Sequence, residues 1–306
     1  MWWVWLLYAL TLVIVIFVSN KIGGIVDALD KKTKLSGAFL GAVLLAGVTS
    51  LPELVTSLTA AIMGEPDMTQ GNILGSNVFD IAIIGLLLVI YFKRIKTRSV
   101  SKANIIFDFF VFAITAAILL LAIFNVQIVI PYININILTP LIIVLYIVAL
   151  FATRKSSENI EDEEQGATNK FEEKSVKTLA WSFVAYSVVL VGVSVALTFL
   201  AEYLAEQYGL AKGLAGALFL GVPTSLPEII SSFALLRYGN FNAAYGNIIG
   251  SCLFNYAVLA IADIAFIHGT VFVTDLQTII LSACLLVATS FTVSYTHLTL
   301  PTKRIV

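Results

Sequence analysis

Two glutamates, Glu53 and Glu228, are the residues best placed to do chemistry, because each lies inside a long apolar stretch directly after a proline. A charged side chain at the centre of a bilayer costs roughly 3 kcal/mol on insertion, so an acidic residue there usually has a function. A proline inside a helix also removes the hydrogen bond to the carbonyl four residues earlier, which here belongs to Val48 or Pro223. We therefore expect a break in each of the two helices, with free backbone oxygens beside each carboxylate.

Small polar residues repeat at four-residue intervals around each glutamate, which places them on one helix face. They form four stripes: Thr49, Glu53 and Ser57; Asn72, Ser76 and Asp80; Thr224, Glu228 and Ser232; and Asn247, Ser251 and Asn255. Such oxygen ligands suit Na⁺ and also Ca²⁺, which takes roughly 6–8 of them, and they include none of the imidazoles that softer metals favour. For the outer members, the alternative is that they only join helices through hydrogen bonds. Those members are Asn72, Asn247, Ser57 and Ser232.

These stripes belong to an internal repeat. A shift of 175 residues aligns 49–79 with 224–254 without a gap, and 13 of the 31 aligned positions are identical. The identities include Pro, Glu, Asn, Gly and Ser, so a chance match between two apolar segments does not explain them. We infer that the chain carries two copies of one structural unit.

The composition requires that these copies lie in a membrane. Hydrophobic residues make up 59% of the 306 residues and charged residues only 12%, whereas soluble domains carry about 25% charged residues. Apolar stretches of about 20 residues span a bilayer as helices, because lipid offers no partner to the backbone. We predict an all-α, multi-pass membrane protein with nine spans, at 2–19, 36–63, 69–92, 103–125, 133–153, 178–201, 213–236, 243–267 and 274–294.

The basic residues predict the orientation. Of the 18 Lys and Arg residues, 14 lie in the alternate loops 20–35, 93–102 and 154–177, and basic loops stay in the cytoplasm. The N-terminus is then outside. The first copy has an odd number of spans, so the second is inserted upside down, and inverted repeats of this kind hold a substrate site near the midplane. We expect a first repeat at 1–153, an acidic cytoplasmic linker at 154–177 and a second repeat at 178–294.

The second repeat is predicted to be one helix shorter than the first. Under the same shift, span 133–153 maps beyond residue 306, while residues 295–306 are polar and β-branched and contain a proline. We expect these residues to be a non-native tail in place of a tenth helix. The alternative is a genuine protein with nine spans.

TSLPE followed by GNxxGS, present twice, resembles the α-repeats of the sodium/calcium exchanger family within the calcium:cation antiporters. The resemblance implies five-plus-five inverted helices in the plasma membrane and exchange of Ca²⁺ for Na⁺ by alternating access. It implies a Ca²⁺ site of Glu53, Glu228, Thr49 and Thr224, Na⁺ sites at Ser50, Ser225, Ser76 and Ser251, and a central pair of Asp80 and Asn255. Val48 and Pro223 replace the glycine usual before this motif, and Asp80 with Asn255 leaves three acidic groups instead of four. The sequence therefore leaves the coupling ion open.

Other functions fit the sequence less well. The nearest alternative is exchange of Ca²⁺ for H⁺ with a glutamate or Asp80 as the proton carrier, and a passive cation channel comes next. The chain has no HExxH, nucleophile elbow or GxGD-like pair, and Cys252 and Cys284 lack zinc-site spacing, so we expect neither an enzyme nor a cofactor. A net charge of −1 gives no footprint for nucleic acid. Ca²⁺, Na⁺ and the bilayer are the expected partners, with no obligate protein partner.

Two further acidic residues, Asp108 and Asp263, are expected near the membrane interface rather than in the site, because they lie towards the ends of apolar stretches. The glycines of the GNxxGS motifs are expected to let helices approach closely. They are Gly71, Gly75, Gly246 and Gly250.

Overall fold

The computed structural model describes residues 2–33, 35–90, 100–131, 134–155, 167–208 and 214–299, and these residues are nearly all helical. The helices of the first half are α1 (Trp2–Lys32), α2 (Gly37–Phe39), a π-helix (Leu40–Leu45), α3 (Ala46–Thr49), α4 (Leu51–Ile62), α5 (Pro66–Ile90), α6 (Lys102–Ile123) and α7 (Leu138–Lys155). A short 3₁₀-helix (Lys170–Glu173) leads into α8 (Val176–Gln207), α9 (Leu214–Arg237), α10 (Phe241–Ala265) and α11 (Leu276–Thr299).

Each of the nine predicted stretches contains helix, which confirms the all-α fold class. Judged by length and hydropathy, five described helices are able to cross a membrane, and the bent pair 37–49 and 51–62 makes a sixth. The apolar helices at 138–153 and 276–292 are shorter. The backbone of α11 is helical through Thr299, five residues into the predicted tail, and residues 300–306 lie outside the described part.

The first helix is longer than the sequence predicted. Residues 20–35 were expected to form a loop, whereas α1 continues to Lys32. The reason is that Ile22, Ile25 and Leu29 continue the apolar pattern at helical spacing and are buried, so the last turns of α1 pack against the rest of the protein. Only the residues just after Lys32 remain available as a loop.

The proline of the first copy coincides with a break in the helix, as expected. α3 and α4 meet at Ser50, whose φ and ψ of −92° and 10° are not helical, and the helix axes bend there by 45°. In the second copy, α9 is continuous with Pro223 and Pro227 inside it. The expected break is absent from this described helix, but Pro227 still has no N–H to donate to the carbonyl of Pro223.

Helix α10 is the centre of the fold and packs against the helices of both copies. It lies very close to the segment that precedes the broken helix. A Cβ atom on Gly246 would be 2.8 Å from the carbonyl oxygen of Ala38, and one on Gly250 would overlap the backbone of Ala42. The prediction of close approach is confirmed at these two glycines. Large apolar side chains such as those of Trp2 and Trp3 are exposed on α1, as lipid contact requires.

Candidate functional site

Hydroxyl groups of one copy meet the buried glutamate of the other. The Ser50 hydroxyl, at the break between α3 and α4, donates a hydrogen bond of 2.9 Å to Glu228 Oε1 on α9. The Ser251 hydroxyl on α10 lies 3.4 Å from the same oxygen. The hydroxyls of Ser76 and Thr224 lie 3.4 Å apart, also across the two copies. The structure thus brings together motif residues that are far apart in the sequence.

Three carboxylates share this buried region. Glu53, Asp80 and Glu228 are each only 1% exposed, and all three are near enough to repel one another. Among the described residues, Glu53 Oε2, Asp80 Oδ1 and Glu228 Oε2 find no hydrogen-bond donor. Buried negative oxygens without a partner are unfavourable, and a cation is the partner that would offset both the burial and the repulsion.

Hydroxyl side chains of each copy lie beside the carboxylates of the other copy. Thr224 is adjacent to the Glu53 carboxyl, Thr49 is adjacent to that of Glu228, and Ser225 is adjacent to that of Asp80. The Thr49 hydroxyl is within hydrogen-bond distance of the Leu45 carbonyl, 3.1 Å away. No three His, Cys, Asp or Glu side chains of the described residues are grouped closely enough to hold a metal ion alone. Hydroxyls and backbone carbonyls are therefore needed to complete a cation shell.

The outer amides make the same contacts in both copies. Asn72 Nδ2 donates to Ser57 Oγ at 3.0 Å, and Asn247 Nδ2 donates to Ser232 Oγ at 2.9 Å. Asn247 Nδ2 is also 3.1 Å from the Glu228 carbonyl oxygen. These bonds join α5 to α4 and α10 to α9, so in this structure the four residues hold helix pairs together beside the carboxylates.

Sequence reasoning missed two residues at the centre of the cluster, Asn77 and Cys252. Asn255 Nδ2 donates to Asn77 Oδ1 at 2.9 Å, and Asn77 Nδ2 donates to the Cys252 carbonyl at 3.2 Å. The Cys252 Sγ atom lies 4.0 Å from Asp80 Oδ2. Neither residue was predicted to belong to the site, because both lie off the four-residue stripes. The sequence feature that could have pointed to them is that they occupy equivalent positions under the 175-residue shift.

Asp108 and Asp263 are both buried inside the protein, and their place near the membrane interface stays a prediction. Asp108 accepts hydrogen bonds from the hydroxyls of Tyr245 and Thr292, both at 3.0 Å. Asp263 accepts from four donors, and the sequence gives no local sign of these distant partners. The donors to Asp263 are the N–H groups of Asn136 and Val271 and the hydroxyls of Thr139 and Thr270.

The end of the predicted linker is folded against α1. Asn169, only 2% exposed, donates to the buried carboxyl of Asp27 at 2.8 Å. The same carboxyl is 3.1 Å from Lys31 Nζ, which in turn pairs with Glu172 at 2.6 Å. Asp27 is a further buried acid that sequence reasoning missed. The acidic run of the linker, residues 161–164, lies outside the described residues.

Taken together, the helical fold and the paired motifs around buried carboxylates define an integral membrane protein of the cation-exchanger type. The family model described as sodium/calcium exchanger protein matches residues 3–154 and 178–305. The chain belongs to the sodium/calcium exchanger family, a family of cation antiporters.

Two bacterial relatives are similar over most of the chain, and a human exchanger is similar over a short part of it. The putative antiporter CaxA of Alkalimonas amylolytica is 25% identical over 258 residues, which are 83% of this chain and 78% of the relative. The inner membrane protein YrbG of Escherichia coli is 23% identical over 250 residues, or 81% of this chain and 75% of YrbG. The human sodium/potassium/calcium exchanger 5 is 45% identical over 65 residues, which are 21% of this chain and 13% of that protein.

The fold is also that of a solved exchanger structure. The sodium-calcium exchanger NCX_Mj, in crystals soaked with Na⁺ and Sr²⁺, superimposes with a TM-score of 0.70 at 19% identity, over 96% of this chain and 90% of NCX_Mj. A second structure of the same exchanger, soaked with Na⁺ and no Ca²⁺, gives a TM-score of 0.68 at 20% identity. At this identity the likeness bears on the fold alone, and it agrees with the family assignment.

Proposed function

We propose that this protein is a secondary antiporter that exchanges Ca²⁺ for Na⁺ by alternating access. The observation that carries the proposal is the contact of Ser50 and Ser251 with Glu228 in a buried region that also holds Glu53 and Asp80. Three carboxylates that repel one another, each with an oxygen that lacks a donor among the described residues, are stabilised by a bound cation. The hydroxyls around them suit hard cations, which prefer oxygen ligands.

The ligand sets follow from position in the two motifs. Ca²⁺ binds between Glu53 and Glu228 with the backbone oxygens of Thr49 and Thr224. The Na⁺ sites use the hydroxyls of Ser50, Ser225, Ser76 and Ser251. Asp80 and Asn255 hold the central position, as a Na⁺, water or proton site. Because Na⁺ and Ca²⁺ share the same carboxylates, occupancy by one ion discourages the other, which is the basis of exchange.

The membrane arrangement is part of the same proposal. We infer nine spans in two repeats of opposite orientation, with the N-terminus outside and loops 93–102 and 154–177 in the cytoplasm of a plasma-membrane protein. The short loop after Lys32 lies on the same side. The duplicated contacts of Asn72 with Ser57 and of Asn247 with Ser232 support two equivalent units. Relative motion of the two units then exposes the shared site to one side at a time, and ions bias this motion through their different affinities for the two states.

Uptake of radiolabelled Ca²⁺ into proteoliposomes, driven by an outward Na⁺ gradient, tests the proposal. Wild-type protein should take up Ca²⁺, and Glu53→Gln should abolish uptake because it removes one of the two glutamate charges that bind Ca²⁺. Asp67→Asn is the matched control, since Asp67 is exposed in the first turn of α5 and its loss should leave uptake intact. Uptake that is unaltered in Glu53→Gln would overturn the assignment.

The same vesicles separate the alternatives. Uptake driven by a pH gradient in the absence of Na⁺ would favour H⁺ as the coupling ion. A passive channel would dissipate a Ca²⁺ gradient without saturable counterflow, whereas an antiporter with a gated site shows counterflow.

A further inference from the structure

Four buried side chains form a mixed cluster where α5 crosses α10. Asn77 and Asp80 come from α5, and Cys252 and Asn255 come from α10. None of the four is more than 1% exposed. The 175-residue shift places Asn77 opposite Cys252 and Asp80 opposite Asn255. The cluster is therefore symmetric in position and asymmetric in chemistry.

The hydrogen bonds determine which way each amide faces. A backbone carbonyl only accepts, so Asn77 must present its NH₂ group to the Cys252 carbonyl, 3.2 Å away. Its side-chain oxygen then faces Asn255, which must donate a hydrogen bond from its own NH₂ group, at 2.9 Å. The Asn255 carbonyl oxygen is left without a donor among the described residues. One backbone carbonyl thus sets the orientation of both amides.

The thiol side of the cluster works differently. Cys252 Sγ lies 4.0 Å from both Asp80 Oδ2 and the backbone carbonyl oxygen of Asn77. A thiol is only a weak hydrogen-bond donor. Asp80 Oδ1 has no donor within the described part of the chain. By the rule that orients Asn77, an asparagine in place of Cys252 would turn its NH₂ group to the Asn77 backbone carbonyl and its oxygen to the Asp80 carboxylate, and the two oxygens would repel each other. The cysteine therefore leaves the Asp80 carboxylate available to a cation.

We propose that Asn77 and Cys252 are positioning residues for the central cation position. Asn77 holds the Asn255 amide with the Asn255 carbonyl oxygen available to the cation, and Cys252 fills the equivalent space beside Asp80 without placing an amide oxygen against its carboxylate. The inference rests on the proposed function and adds a matching rule to it. An amide at the central position needs an asparagine beside it, and an acid needs a cysteine.

Exchanging residues between equivalent positions tests this rule without changing the set of side chains present. The first variant is Asn77→Cys with Cys252→Asn, the second is Asp80→Asn with Asn255→Asp, and the third combines all four substitutions. Each of the first two pairs an acid with an asparagine and an amide with a cysteine. We expect each to raise the Ca²⁺ concentration for half-maximal uptake roughly tenfold. The four-residue variant restores the matching pairs and should return to within about twofold of wild type.

Folding and binding are measured separately for every variant. Thermal melting and size-exclusion profiles report folding, and equilibrium binding of radiolabelled Ca²⁺ reports affinity without transport. If the exchanged variants do not fold, Asn77→Ala carries the test, because it removes the partner of the Asn255 amide and leaves Asp80 and Asn255 themselves in place. It should raise the half-saturating Ca²⁺ concentration and leave the maximal rate unchanged.

Three results overturn the matching rule: wild-type half-saturation in either two-residue variant, a four-residue variant as impaired as the two-residue ones, or wild-type half-saturation in Asn77→Ala. Failure of the proposed function looks different. In that case wild-type protein itself shows no Na⁺-dependent uptake, and Ca²⁺ binding to the same variants still tests the positioning roles.

Discussion

Replacement of Asp263 by alanine should strongly destabilise the protein although this residue lies outside the proposed ion site. The Asp263 carboxyl is fully buried and accepts the N–H groups of Asn136 and Val271, both at 2.8 Å, as well as two threonine hydroxyls. The hydroxyls are able to rotate to new acceptors, but the two N–H groups are fixed. Each buried N–H left without an acceptor costs about 1–3 kcal/mol, so the total loss is about 4 kcal/mol. At about 2 °C per kcal/mol for a chain of this size, the melting temperature should fall by about 8 °C.

The assay is the loss of the monodisperse size-exclusion peak after heating of detergent-purified protein. Asp263→Asn keeps one acceptor oxygen and should lose about half as much as Asp263→Ala. Asp67→Ala is the control, because Asp67 is exposed and its removal should shift melting by no more than about 1 °C. If Asp263→Ala melts within about 2 °C of wild type, the reasoning from its four hydrogen bonds is refuted.

Three further predictions concern the site, the helix packing and the linker. Ser50→Ala removes the donor to Glu228 and should raise the half-saturating Ca²⁺ concentration by roughly five- to tenfold in uptake assays; an unchanged value would contradict a role for this hydroxyl. Gly246→Ala places a Cβ atom 2.8 Å from a backbone oxygen and should sharply reduce the yield of monodisperse protein, whereas Gly47→Ala should not, because its Cβ would contact no other described element within 4 Å. Asn169→Ala removes the hydrogen bond to α1 and should speed hydrogen exchange in residues 167–174, and equal exchange in both proteins would show that this contact does not hold the segment.

The parts of the site that lie on helical stripes could be predicted from the sequence. The four-residue spacing placed Glu228 on the polar face of one helix and Ser251 on the polar face of another, and the structure brings them within 3.4 Å. The proline argument found the break at Ser50, since the loss of an N–H donor is a local property of the chain. It did not show that α9 remains continuous, because packing against neighbours is able to hold a proline-containing helix together.

Contacts between segments that are distant along the chain could not be predicted from the sequence. The hydrogen bonds of Asp108 and Asp263 could not be predicted, because their partners come from other helices and loops. Asp27 and Asn169 were missed for the same reason, since the acid lies on α1 and its partner is 142 residues further along the chain. Periodicity shows which face of a helix is polar, but not which other element covers that face.

The C-terminal end of α1 also could not be predicted from the sequence alone. Lys21 interrupts the apolar run and suggested the end of a span, yet the helix continues because Ile22, Ile25 and Leu29 are covered by other elements. Hydropathy therefore located the apolar core of the span and missed the helix that continues beyond it.

In the proposed function, Glu228 and Glu53 together bind Ca²⁺ in competition with Na⁺. Equilibrium binding of radiolabelled Ca²⁺ to the purified protein, measured with and without Na⁺, tests this competition without the need for transport. Wild type and Asp67→Asn should show saturable binding that Na⁺ displaces, and Glu228→Gln should lose that binding while remaining monodisperse. Saturable, Na⁺-sensitive Ca²⁺ binding to Glu228→Gln at wild-type affinity would contradict the account.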